Sequence, residues 1–167
     1  MQGEVGVHSE PGQGSCFWLQ LWLPSAVAPV STTLANVTLS GLNLQGMCLA
    51  LCEDDATSRK VMQRMLERQG ARVLLYENGQ QLLDDDAFSS CDAIILDYHM
   101  PVLDGLATAS LLRQSGFSGP LLALTAAATE EERQHCLAAG MDQVMSKPVE
   151  WPAFIRWLQA CRSKPAS

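Results

Sequence analysis

Asp92-Ala93-Ile94-Ile95-Leu96-Asp97-Tyr98-His99-Met100-Pro101-Val102-Leu103-Asp104-Gly105 is the stretch on which the fold turns. Ala93 to Leu96 is an unbroken apolar run of strand length. Strands buried on both faces read this way, whereas a half-exposed strand alternates. The run stops on a carboxylate, Asp97, and a turn pair, Asp104-Gly105, leads into a helical pattern from Leu106 to Gln114.

The same alternation repeats on either side. Upstream come a strand over Cys48 to Cys52, a helix from about Thr57 to Gln69, a strand over Arg72 to Tyr76 and a helix from Gly79 to about Asp84. Downstream come a strand over Pro120 to Leu124, a helix over Thr129 to Ala139, a strand over Gln143 to Met145 and a helix over Pro152 to Cys161. This βα repetition implies an α/β fold, a parallel sheet with helices on both sides and right-handed crossovers.

In such a sheet ligands bind beyond the carboxyl ends of the strands, so the residues ending each apolar run are decisive. The first run ends in Glu53-Asp54-Asp55, the third in Asp97, the fourth in Thr125 and the fifth in Ser146-Lys147-Pro148. Clustered carboxylates repel one another unless a cation sits among them, and a hard all-oxygen site favours Mg2+. A carboxylate can attack phosphorus when metal, ammonium and hydroxyl groups neutralise the charge on the phosphoryl oxygens. Each residue alone has a plainer reading. Asp54 or Asp55 can cap the first helix, Thr125 can cap the fourth, Lys147 can be a surface lysine, and Asp104-Gly105 can be only a turn.

The chain has 167 residues, 47% of them apolar and 17% charged, which fits a globular protein. Its net charge of −7 offers no basic stripe, so nucleic acid is not expected as a partner. No apolar stretch reaches the roughly 20 residues needed to cross a bilayer, and Met1-Gln2-Gly3-Glu4 does not start a signal peptide. A cytoplasmic location without membrane contact is expected for this stretch of chain. The six cysteines contain no CxxC pair and mostly sit in apolar runs, as small buried hydrophobes do. Cys48 and Cys52 would share a strand face but lie too far apart for one zinc.

Taken together, Glu53-Asp54, the Asp97 to Gly105 stretch with its DxxMPxxDG pattern, Leu124-Thr125-Ala126 and Lys147-Pro148 resemble the response-regulator receiver family. The resemblance covers about residues 47 to 162 and implies a doubly wound (βα)5 flavodoxin-like sheet with strand order 2-1-3-4-5. It implies that Asp97 accepts a phosphoryl group from a phosphohistidine. Mg2+ would be held by Glu53, Asp54 and Asp97, directly or through water, with the backbone carbonyl of His99. Thr125 would bond a phosphoryl oxygen, Lys147 would pair with the phosphate, and the small Ala126 would leave room for it. The implied partners are a histidine kinase's phosphohistidine domain or a histidine phosphotransfer protein. One position departs from the family: Val144 stands three residues before the lysine, where an aromatic side chain usually turns inward on activation.

The first 24 residues hold two strand-like runs, Glu4 to His8 and Ser15 to Leu23, around Glu10-Pro11-Gly12-Gln13-Gly14. They look like the last hairpin of a histidine-kinase ATP-binding domain. A Ser-, Thr-, Pro- and Asn-rich linker is expected over 25–46, and a short tail over 163–167. The two likenesses suggest the C-terminal part of a hybrid sensor histidine kinase, whose parent could be anchored in a membrane. His8, His99 and His135 lie in unrelated contexts, none resembling that of a phosphohistidine.

Two rival functions fit these residues less well. A Mg2+-dependent phosphatase of the haloacid-dehalogenase type needs a second acid two residues after its nucleophile, where this chain has His99. A receiver fold that only binds proteins would have no need of the full acid, threonine and lysine set. In the last helix, Trp151, Phe154, Ile155, Leu158 and Cys161 form one apolar face, and Trp157 falls off it, either partly covered by neighbouring side chains or on or beside a partner-binding surface.

Overall fold

The computed structural model describes residues 2–10, 14–22 and 43–162. They fall into two compact units, divided after Thr38. The expected tip of the first turn at 11–13, Leu23, most of the linker and the tail lie outside the described residues.

The first unit is an antiparallel hairpin. β1 (Gln2–Glu10) pairs with β2 (Gly14–Trp22) from Gln2 opposite Trp22 to Glu10 opposite Gly14. The strands extend further than the apolar alternation indicated, because backbone pairing continues through polar Ser9 and Glu10.

The second unit contains β3 (Cys48–Cys52), α1 (Ala56–Arg68), β4 (Arg72–Tyr76), α2 (Gly79–Leu83), a 3-10 turn (Asp86–Ser90), β5 (Ala93–Asp97), α3 (Gly105–Gln114), β6 (Leu121–Thr125), α4 (Glu130–Ala138), β7 (Gln143–Ser146) and α5 (Trp151–Arg162). The five strands lie parallel in the order β4-β3-β5-β6-β7. Counted within this sheet alone, that is 2-1-3-4-5, as expected.

Strand side chains alternate between faces, which divides the core into two layers. On one face Leu49, Leu51, Ile95, Leu122 and Leu124 meet Met62 and Leu66 of α1 and Phe154, Ile155 and Leu158 of α5. On the other, Ala50, Cys52, Ile94, Leu96 and Ala123 meet Leu82 of α2, Ala109 and Leu112 of α3 and Cys136 of α4. β5 and β6 are buried along their whole length, which is why they read as continuous apolar runs.

Three details depart from the sequence reading. Leu44, within the expected linker, is fully buried in the first layer, and its N–H donates to Gln69 O at 2.9 Å. The 3-10 turn is an addition to the expected elements; Asp85 caps it and also accepts the Tyr76 hydroxyl at 2.9 Å. Trp157 does not stand clear of α5's apolar face: it is half-buried and packs on the same core layer as Phe154 and Leu158.

Candidate functional site

Every expected site residue sits at the carboxyl end of a strand or in the loop following one. Glu53 and Asp54 follow β3, Asp97 ends β5, Thr125 ends β6 and Lys147 follows β7. Glu53 is buried, Asp54 exposed and Asp97 buried. Carboxylate oxygens of these three lie within 4.8 Å of one another. That spacing is close to the roughly 4 Å between opposite ligands of one Mg2+, so a hard cation held partly through water fits this donor set. His99 lies two residues beyond Asp97 with its side chain exposed, its ring set edge-on to Tyr98 at 4.7 Å.

Lys147 reaches into the acid cluster. Its Nζ donates to Glu53 Oε2 at 2.7 Å and to Asp97 Oδ2 at 2.8 Å, joining residues 94 and 50 positions apart. Burial raises the Glu53 pKa above the usual carboxylate range, and Asp97 and Asp54 add to the rise while Lys147 opposes it. Burial works against the Lys147 ammonium, but its bonds to Asp97 and Glu53 outweigh this and raise its pKa. The lysine therefore stays a cation beside the acids.

The plainer readings of the neighbouring residues now separate. Asp55, not Asp54, caps α1, accepting Ser58 N–H at 2.7 Å, and these bonds lower its pKa. Thr129, not Thr125, caps α4. Thr125 is 1% exposed, and its hydroxyl donates to Glu132 Oε2 at 2.9 Å. Ala126 is exposed at the loop mouth.

Asp104-Gly105 is more than a turn. Asp104 caps α3 by accepting Ala107 N–H at 2.8 Å. Gly105 packs so tightly beneath the site that a Cβ there would collide with the Asp97 carbonyl oxygen. Only a glycine lets α3 start this close to the strand that ends in Asp97.

Two residues near the site escaped the sequence reading. Arg59 of α1 donates from Nη1 to the Glu53 and Asp54 carbonyls at 2.6 and 3.1 Å, and from Nη2 to Glu77 Oε1 at 2.7 Å. It braces the backbone that carries two of the three acids. The other is Glu132, the partner of Thr125. An arginine or glutamate in a polar helix gives no sequence signal of such a contact.

A family model of the response regulator receiver domain matches residues 49–159, the span that holds this whole arrangement. This chain belongs to the response regulator receiver family. The receiver is similar to part of the sensor histidine kinase AruS of Pseudomonas aeruginosa, at 33% identity over 160 residues, 93% of this chain and 15% of that protein. It is also similar to the hybrid signal transduction histidine kinase M of Dictyostelium discoideum, at 36% identity over 118 residues, 66% of this chain and 5% of that protein. The chain thus spans only a small part of the curated relatives it matches. Among solved structures, the receiver domain of sensor histidine kinase PA1611 from P. aeruginosa is 33% identical with a TM-score of 0.64, covering 71% of this chain and 99% of that one. That structure is described with a magnesium ion coordinated in its active-site cleft. Receivers of this kind serve two-component phosphorelay signalling, and the same holds for this receiver. Among the described residues no helix is long and apolar enough to cross a membrane.

Proposed function

We propose that Asp97 is the phosphoacceptor of this receiver, taking the phosphoryl group from a phosphohistidine in a Mg2+-dependent reaction. The observation that carries this reading is the pairing of Lys147 Nζ with both Asp97 Oδ2 and Glu53 Oε2, at 2.8 and 2.7 Å, beside the exposed Asp54 carboxylate. In support of the reading, the Asp97 carboxylate, the Lys147 ammonium and an acid cluster of a kind that suits a cation lie together at the strand ends.

Glu53, Asp54 and Asp97 would hold Mg2+, with the His99 backbone carbonyl as a further ligand. When bound, the metal would neutralise charge on the phosphoryl oxygens. An Asp97 carboxylate oxygen forms the new bond to phosphorus, and the phosphohistidine nitrogen leaves with the electrons of the broken P–N bond. Lys147 pairs with one phosphoryl oxygen by a charge-assisted bond, and the Thr125 hydroxyl donates to another. Ala126 leaves the approach open. Hydrolysis by water later returns the free carboxylate.

The parent protein is proposed to be a cytoplasmic or membrane-anchored hybrid histidine kinase. The donor would be its phosphohistidine domain or a histidine phosphotransfer protein. In support, the AruS match runs over 93% of this chain and so extends beyond the receiver toward the hairpin. We read residues 1–24 as the end of the kinase ATP-binding domain and 25–46 as the linker.

The test is intact mass after incubation with a small acyl phosphate and Mg2+. One phosphate mass should be gained by the native chain and none by Asp97→Asn, whose amide keeps the shape but removes the nucleophile. No gain by the native chain would favour a receiver fold that only binds proteins. A gain by the Asn variant would move the acceptor to another acid.

A further inference from the structure

The stretch Thr129-Glu130-Glu131-Glu132 at the start of α4 has the pattern of a capping box. In that motif the N-cap hydroxyl accepts from the N–H three residues on, and the glutamate there turns back to the N-cap's own N–H. Here only half of the box is formed. Thr129 Oγ1 accepts Glu132 N–H at 3.2 Å, but Thr129 N–H donates to Ala127 O at 2.8 Å. The Glu132 carboxylate has gone elsewhere, accepting the hydroxyl of buried Thr125 at 2.9 Å.

A threonine hydroxyl has one proton to donate. Thr125 therefore cannot donate to Glu132 and to a phosphoryl oxygen at once. We infer that Glu132 is a positioning residue that holds the Thr125 hydroxyl away from the acceptor pocket, and that phosphorylation takes this hydroxyl from it. The freed carboxylate can then turn back to Thr129 N–H and complete the box. The Thr125 hydroxyl at the end of β6 and the first turn of α4 thus share one exchangeable hydrogen bond, with two discrete arrangements of the kind a switch requires.

This route needs no aromatic ring. Val144 of β7 lies half-buried against the second core layer and has no ring to swing. The inference rests on the proposed roles of Asp97 and Thr125.

The test is calorimetric titration of beryllofluoride, a mimic of the phosphoryl group, into the full chain with saturating Mg2+. Glu132→Ala removes the competing acceptor and should bind about fivefold more tightly than the native chain, the usual scale of one hydrogen bond. Glu132→Gln loses the charge but keeps an acceptor, and should gain about twofold. In a Thr125→Val background, where there is no hydroxyl to compete for, Glu132→Ala should change nothing. Thermal melts of each variant establish that it is folded.

Equal gains in the Ala and Gln variants would mean that charge repulsion alone is at work, and would overturn the inference. So would a gain from Glu132→Ala that persists in the Thr125→Val background, or an affinity equal to native in Glu132→Ala alone. Failure of the native chain to bind the mimic at all would instead bring down the phosphoacceptor reading beneath it.

Discussion

Replacing Lys147 by Met keeps the length of the side chain and removes its charge, so it isolates the ammonium's contribution to the acid cluster. Two bonds are lost, at 2.7 and 2.8 Å, and Glu53, whose side chain is 2% exposed, loses its cationic partner. Breaking a fully buried ion pair costs about 3–5 kcal/mol, and an exposed one about 0–1 kcal/mol. Lys147 is 28% exposed, so an intermediate cost of about 2 kcal/mol is expected without metal. For a domain of this size that lowers Tm by roughly 8 °C. Mg2+ supplies the missing positive charge and no longer competes with an ammonium, so it should bind the variant more tightly and stabilise it more than the native chain. The assay is thermal melting followed by circular dichroism, in chelator and in millimolar Mg2+. The gap between the two proteins should fall to less than half of its metal-free value. A gap that Mg2+ leaves unchanged or widens would show that Lys147 and the cation do not answer the same acids.

Three further outcomes are expected. Gly105→Ala drives a methyl group against the Asp97 carbonyl oxygen, and should cost about 3 kcal/mol by denaturant unfolding while slowing phosphate uptake. Arg59→Ala removes three bonds to the β3–α1 loop and Glu77, and should cost about 2 kcal/mol and weaken Mg2+ binding severalfold in a calorimetric titration. Arg113→Ala removes donors to the Gly140, Phe117 and Gly119 carbonyls and the pair with Asp142, remote from the strand-end pocket. It should lower denaturant stability by about 2–3 kcal/mol yet leave Mg2+ affinity unchanged at a temperature where both proteins are folded.

The parallel sheet was legible because β3, β5 and β6 are covered on both faces, which forces unbroken apolar runs such as Ile94-Ile95-Leu96. The acids were legible because the runs of β3 and β5 stop abruptly on carboxylates, Glu53 and Asp97. Leu44 was not, since its burial depends on Gln69 and the first core layer, and scattered leucines in a Ser- and Asn-rich stretch are too few to mark which of them is buried. The turn at Asp86–Ser90 was lost for a similar reason: five residues with one aromatic among small and polar neighbours fit many loops. For Trp157 the plainer alternative holds, a tryptophan partly covered by its neighbours, because a helical wheel marks angle but not the width of the groove beside it, which Pro120 and Asp142 line together with the tryptophan. The destination of Glu132 lay beyond the pattern altogether. Its capping-box spacing is visible, but only the tertiary position of Thr125 decides which donor it accepts from.

The distances in sequence across the acid cluster also bear on when the molecule becomes competent. Glu53 and Lys147 are 94 residues apart, and the sheet that joins them is built entirely from parallel crossovers. Parallel pairing is non-local, so its loop-closure entropy must be met before the contacts form and assembly is slow. During synthesis, β3 and β5 exist before β7 has been made, and Asp97 then stands without its ammonium. The Lys147–Asp97–Glu53 arrangement is consequently a late product of folding: a half-made or locally opened chain presents the acids without the ammonium, and on the proposed reading only the complete sheet would be competent to accept a phosphoryl group.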